Sequence, residues 1–262
     1  MTQLDAVPDL PRSSLPDFHS EQLSVVISQP MFFPWVGLFE QIRLADIYVH
    51  YGDVQFSKGS FANRVQVKTP QGIKWLTVPL EGHKLGQSIE EVRISSRIDW
   101  RNQHLGLLRS AYAKAPHFDQ MMDLVNSVYN QTWLTIGELS RASINVMCEY
   151  FGLTARRRFL DIREMEISGS SSQRVLNIVK ALEGRRYITG WGARHYLDHQ
   201  LFEDSAIRVE YMNYQTLPYP QLHGNFNPYV SVLDLVANMG REGSNYIRSG
   251  TSYWRQWMER NS

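Results

Sequence analysis

The chain has 262 residues, 43% hydrophobic and 20% charged, with 27 basic and 26 acidic side chains and a formal net charge of +1. The apolar share excludes wholesale disorder and collagen-like structure. The near-zero balance argues against nucleic acid or an anionic membrane as the main partner. A single cysteine, Cys148, excludes an intramolecular disulfide and a thiolate-rich zinc or iron–sulfur framework.

Residues 1–22 contain Pro8, Pro11 and Pro16 among Ser and Asp, and read as a flexible leader with no signal-peptide core. No stretch approaches the roughly 18 uninterrupted apolar residues of a membrane span, so the expected location is cytoplasmic. The β-branched run 24–28 predicts a buried strand, ended by Gln29-Pro30. Trp35, Leu38, Phe39 and Ile42 follow at helical spacing, and 47–51 reads as the next strand. Strand, helix and strand within about 30 residues form a parallel βαβ unit. Residues 64–68 and 74–80, joined by Thr69-Pro70-Gln71-Gly72, predict a hairpin, and 89–94 a fifth strand.

The period then changes. Residues 100–114, 118–130 and 134–151 predict three helices, with Asp99 and Thr132 as caps and Gly152 as a stop. Strands at 158–162, 187–189 and 208–211 alternate with helices at 171–182, 233–239 and 253–260. The expected fold is α/β: a Rossmann-like, mostly parallel sheet in a single domain over 23–262. It carries a helical block over about 98–151 and a smaller C-terminal α/β part over about 155–262.

In such sheets ligands bind beyond the carboxyl ends of the strands. Gln29 ends the first strand and would point into that crevice, with Phe32, Phe33, Trp35 and Trp75 clustered around it. Residues 50–64 are dense in polar types between Gly52 and Gly59. Asp53 would act as a base, Lys58 and Arg64 would hold phosphate, Gln29 and Asn63 would orient the substrate, and Gln55 is a further substrate-binding residue. Thr77 is the residue of its strand that would face a ligand. Gly190 lies in a Gly-rich turn suited to backbone contacts. Gln221, and His223 as a second catalytic group, would close the site from the C-terminal half. His195 and His199 stand four apart, as if on one helix face, but no third ligand lies near them. No metal and no cofactor is expected. The turn after the first strand is placed as in nucleotidyltransferase-like proteins. Trp35-Val36-Gly37-Leu38 stands where their His-x-Gly-His would be, which argues against nucleotidyl transfer by that mechanism.

Several blocks together carry a family resemblance. They are residues 29–37, Ala45-Asp46, Asp53-Val54-Gln55-Phe56-Ser57-Lys58, Asn63-Arg64, Trp75-Leu76-Thr77-Val78-Pro79, residues 112–118, Gly190, Tyr219-Pro220-Gln221 and Ser231-Val232-Leu233-Asp234. With these the chain resembles the WbqC-like family, bacterial proteins often encoded among surface-polysaccharide genes. Gly52 departs from the family's usual acidic residue, leaving Asp53 as the remaining carboxylate of that pair, and Phe61 stands where a Trp is common. The resemblance implies an enzyme that modifies a nucleotide-linked amino sugar, with N-acyl or aminoacyl transfer as one such reaction. The partners would be a nucleotide-linked sugar, or another phosphate-bearing small molecule, and an acyl or aminoacyl donor. A non-catalytic nucleotide-sugar binding module and a protein associated with RNA or aminoacyl-tRNA are the alternatives.

Overall fold

The computed structural model describes residues 23–261, so the expected leader lies outside the described residues. Strand β1 (Ser24–Ser28), helix α1 (Val36–Leu44) and strand β2 (Ile47–His50) form the expected βαβ unit, with Val26 paired to Tyr48 in parallel. Three further parallel strands join them: β5 (Arg158–Asp161), β6 (Arg186–Thr189) and β7 (Arg208–Asn213). An antiparallel edge strand, β8 (Gly250–Tyr253), completes the order β5-β2-β1-β6-β7-β8. The chain therefore builds outward from β1 through β2 to β5. It then returns to the other side of β1 for β6 and β7.

Both faces of this sheet are covered, and its first two strands, β1 and β2, are buried along almost their whole length. Val25, Ile27, Ile47 and Val49 pack against Val175, Leu176 and Val179 of α5 (Ser171–Ala181). The alternate residues, Val26 and Tyr48, join Leu38, Phe39 and Ile42 of α1 on the other face. That second core continues without a break into the helical block α2 (Trp100–Tyr112), α3 (Phe118–Tyr129) and α4 (Ile136–Tyr150). Strands β3 (Arg64–Thr69) and β4 (Gly72–Thr77) form a separate two-stranded hairpin. It packs against α2 and α7 (Val232–Met239).

The structure differs from the sequence expectation at a few places. Residues 89–94 are turns with isolated bridges rather than a strand. Their buried residues, Ile89 and Val92, stand three apart, so no alternating face exists. Helix α4 is capped by Thr135 instead of Thr132, with Glu138 closing a capping box. His195 ends a 3₁₀ turn and His199 begins the short helix α6 (His199–Glu203), so the two do not share a helix face. His199 instead bonds to the Tyr211 hydroxyl at 2.7 Å and stacks on Trp254, which opens α8 (Trp254–Asn261). Among the described residues, no helix is long and apolar enough to cross a membrane.

Candidate functional site

The direction of chain winding reverses between β1 and β6, and the loops leaving their carboxyl ends diverge there. Doubly wound sheets open their ligand crevice at this point. A cavity of about 610 Å³ lies there. One wall comes from the end of β1, with Ser28, Gln29, Pro30 and Met31, and another from the end of β6, with Tyr187, Thr189 and Gly190. Tyr51 follows β2, Ser60 and Phe61 come from the loop before β3, Gln41 from α1, and Ser171 and Val175 from α5.

The walls mix apolar residues such as Ile27, Met31, Val54 and Val175 with uncharged polar ones. Gln29 and Gln41 offer amides, and Ser28, Ser60, Ser171, Thr189, Tyr51, Tyr187 and Tyr196 offer hydroxyls. Among the described residues lining the cavity, none carries a charged side chain. Burial raises the Tyr51 and Tyr187 hydroxyls above the ordinary phenol range, so both stay protonated at neutral pH and can donate. Gly190 leaves room for the end of the Gln41 side chain. A Cβ at that position would lie 2.6 Å from the Gln41 side-chain amide. Ser171 adopts a left-handed conformation, φ 48°, where α5 begins at the cavity wall.

Charge gathers beside the cavity. Asp53 receives both guanidinium nitrogens of Arg174, one at 3.0 Å from Nη1 to Oδ1 and a second from Nη2 to Oδ2. The same guanidinium lies 5.1 Å from the centre of the Tyr51 ring. Its charge is held firmly, because the Asp53 hydrogen bonds raise the Arg174 pKa. Both oxygens of the Asp53 carboxylate are thus engaged by one guanidinium. The space left by Gly52 is also filled: a Cβ there would collide with the carboxylate of Glu90. Asp53 is therefore not the sole carboxylate near Gly52. Glu90 is tied to Arg141 and, at 3.5 Å, to Arg163.

Of the residues picked from the sequence, the structure brings Gln29 and Gly190 into the cavity wall. Asp53, Gln55 and Lys58 stand on the segment that supplies Val54 and Ser60 to that wall, with Gln55 and Lys58 exposed. The others are committed elsewhere. Asn63 is buried and donates from Nδ2 to the Val78 carbonyl at 2.9 Å. Arg64 donates to the Gly59 carbonyl at 2.6 Å and stacks over Trp75. Thr77 lies on β4, outside the wall, and its carbonyl meets His104. Gln221 accepts from the buried Lys68 ammonium at 3.1 Å, and His223 Nε2 lies 2.6 Å from the Ala111 carbonyl. Gln221 and His223 thus fasten the segment before α7 to the hairpin and α2, and do not close the cavity. Phe32 and Phe33 also turn away, fully buried against Tyr129 of the helical block.

The residues that the sequence reading missed are Gln41, Tyr51, Arg174, Tyr187, Thr189 and Tyr196. Tyr187 and Thr189 carried a legible signal, since they share the short strand that runs into Gly190. Gln41 and Arg174 sit on the polar side of otherwise ordinary amphipathic helices, where sequence gives no sign of what they face.

Among the described residues, no group of three or more His, Cys, Asp or Glu side chains is arranged to hold a metal ion. No solved structure matches the chain. A protein of Mycobacterium tuberculosis (strain ATCC 25618 / H37Rv), described as the uncharacterized protein Rv1507c, is 33% identical over 227 residues, covering 86% of this chain and 97% of its own length. The model of the WbqC-like protein family matches residues 29–246. With the blocks at the end of β1, in the 53–64 loop and before α7 all inside that span, the chain belongs to the WbqC-like protein family.

Proposed function

We propose that the cavity between β1 and β6 binds a nucleotide-linked sugar, and that the protein modifies its sugar part. The observation that carries this reading is the wall itself: a cleft at the winding reversal, lined by apolar side chains interspersed with amides and hydroxyls, and by no charged side chain among the described residues. Neutral donors and acceptors suit the hydroxyls and amide or amine of a sugar. The phosphates would lie at the rim, where Arg174 and Lys58 supply positive charge.

The reaction in this reading is N-acyl or aminoacyl transfer to an amino sugar, as a step in surface-glycan biosynthesis. The amine nitrogen forms an amide with the donor's carbonyl carbon, the donor's leaving group departs, and one amine proton passes to Asp53. Asp53 is available to accept it when an incoming phosphate draws the Arg174 guanidinium away. Calorimetric titration with a panel of nucleotide-sugars, followed by mass analysis of bound ligand and products, tests this. Asp53→Asn should abolish turnover and leave ligand binding in place. Full activity of both Asp53→Asn and Lys58→Ala on an identified substrate would show the assignment to be wrong.

The engagement of Asp53 by Arg174 also favours a second reading, a module that binds the same ligand without transforming it. Binding with no change in the mass of the ligand, in the presence of acyl and aminoacyl donors, selects that reading.

A further inference from the structure

The lip of the cavity carries two aromatic rings that the core does not use. Phe61 is 48% exposed and Trp75 40% exposed, although both belong to residue types that folding normally buries. Their ring centres lie 6.0 Å apart, inclined at 37°, so they form one continuous apolar surface. Phe61 is part of the cavity wall, and Trp75 lies beyond it on β4. The surface therefore begins inside the cleft and extends out of it.

Positive charge accompanies these rings. The Arg64 guanidinium carbon lies 4.4 Å from the Trp75 ring centre. It is held there by its donation to the Gly59 carbonyl, in the loop that also carries Phe61. Lys58 is exposed on the same loop. Across the mouth, Tyr196 is a wall residue that is 60% exposed. Exposed aromatic rings backed by arginine, with a lysine alongside, offer a π-face to a flat ring and a cation to the phosphate attached to it.

We propose that the Phe61–Trp75 surface is the binding site for the nucleobase of the ligand whose sugar occupies the cleft. Arg64 stiffens Trp75 from behind, and Lys58 faces the linking phosphates. This rests on the sugar-nucleotide reading and extends it, because the cavity wall alone selects a sugar and is silent on the base. Stacking accepts any base, so the surface adds a nucleoside to the ligand without choosing among bases.

The test is calorimetry on the full chain with three kinds of probe: sugar 1-phosphates, nucleoside diphosphates and nucleoside diphosphate sugars. Trp75→Ala is expected to weaken the two nucleotide classes roughly ten- to hundredfold, while sugar 1-phosphates, which report on the cleft alone, keep their affinity. Trp75→Phe should restore most of the loss, and Phe61→Ala should weaken all three classes. Quenching of Trp75 fluorescence by nucleoside diphosphates, absent in Trp75→Phe, is the expected optical counterpart. An unchanged nucleotide affinity in Trp75→Ala would overturn the proposal, as would an equal loss for sugar 1-phosphates. If the wild-type chain binds sugar 1-phosphates and gains nothing from a nucleotide, the aromatic site fails and the cleft reading stands. If it binds none of the three, the cleft reading fails, and the aromatic site with it.

Discussion

Position 190 meets the end of the Gln41 side chain in the cleft wall. In Gly190→Ala the new Cβ would meet the Gln41 amide at 2.6 Å, and that flexible side chain must swing away. The expected result is a folded protein whose affinity for a cleft ligand falls about tenfold or more, the scale of losing or misplacing a polar contact. Titration of the variant beside the wild type, with a thermal melt to verify folding, checks this. Asp53 and Arg174 act as a pair. Arg174→Lys keeps the charge and loses the two-pronged geometry. It should lower stability by about 1 kcal/mol and loosen Tyr51, while Arg174→Ala should cost about 2 kcal/mol. Denaturant midpoints measure both. Individual chemistry was the least legible level of the sequence. Arg64 and Asn63 look like ligand-holding residues by type, yet Arg64 donates to Gly59 in its own loop and Asn63 to Val78 beyond β4. A polar residue satisfies whichever partner the fold brings, and residue type alone does not show which one that is.

The elements themselves were largely legible, because burial on both faces leaves β-branched runs such as Ser24–Ser28 and helices leave three-to-four spacing. Misses came where no period exists. Strand β8, Gly250–Tyr253, has a mixed, half-exposed pattern and is held by pairing with β7 alone. The segment 89–94 imitates a strand in composition, but Glu90 there turns inward to Arg141. Helix α4 illustrates how a local motif is chosen over a nearby rival. Both Thr132 and Thr135 precede it, but the latter has Glu138 three residues on, with its backbone N–H 3.3 Å from the Thr135 hydroxyl. Thr135→Ala is expected to cost about 1 kcal/mol, and Thr132→Ala close to nothing. Urea unfolding of the two variants distinguishes them.

Over the whole molecule, buried histidines link stability to pH, and His50 and His104 are shifted furthest. Burial, with the Arg141 charge acting in the same sense, lowers His50 to about 4, and burial lowers His104 to about 4. In the unfolded chain both titrate near 6.5. The folded state thus binds fewer protons between those values. Stability is complete above about pH 6.5 and declines as the pH falls towards 4, by up to about 3 kcal/mol for each histidine. Urea unfolding at several pH values should give this slope, shallower in His50→Gln.

The order of the sheet and the position of its winding reversal place the cleft; from the alternation of strands and helices in the sequence, only a mostly parallel sheet with a crevice at its strand ends followed. The wall chemistry did not, because it is assembled from six separate segments of the chain. Calorimetric titration of nucleoside diphosphate sugars into the wild-type protein and Gly190→Ala tests the central claim most directly. The account predicts saturable binding of at least one such sugar to the wild type, and an affinity about tenfold or more weaker in Gly190→Ala. Absence of binding across the panel, or binding that Gly190→Ala leaves untouched, would contradict it.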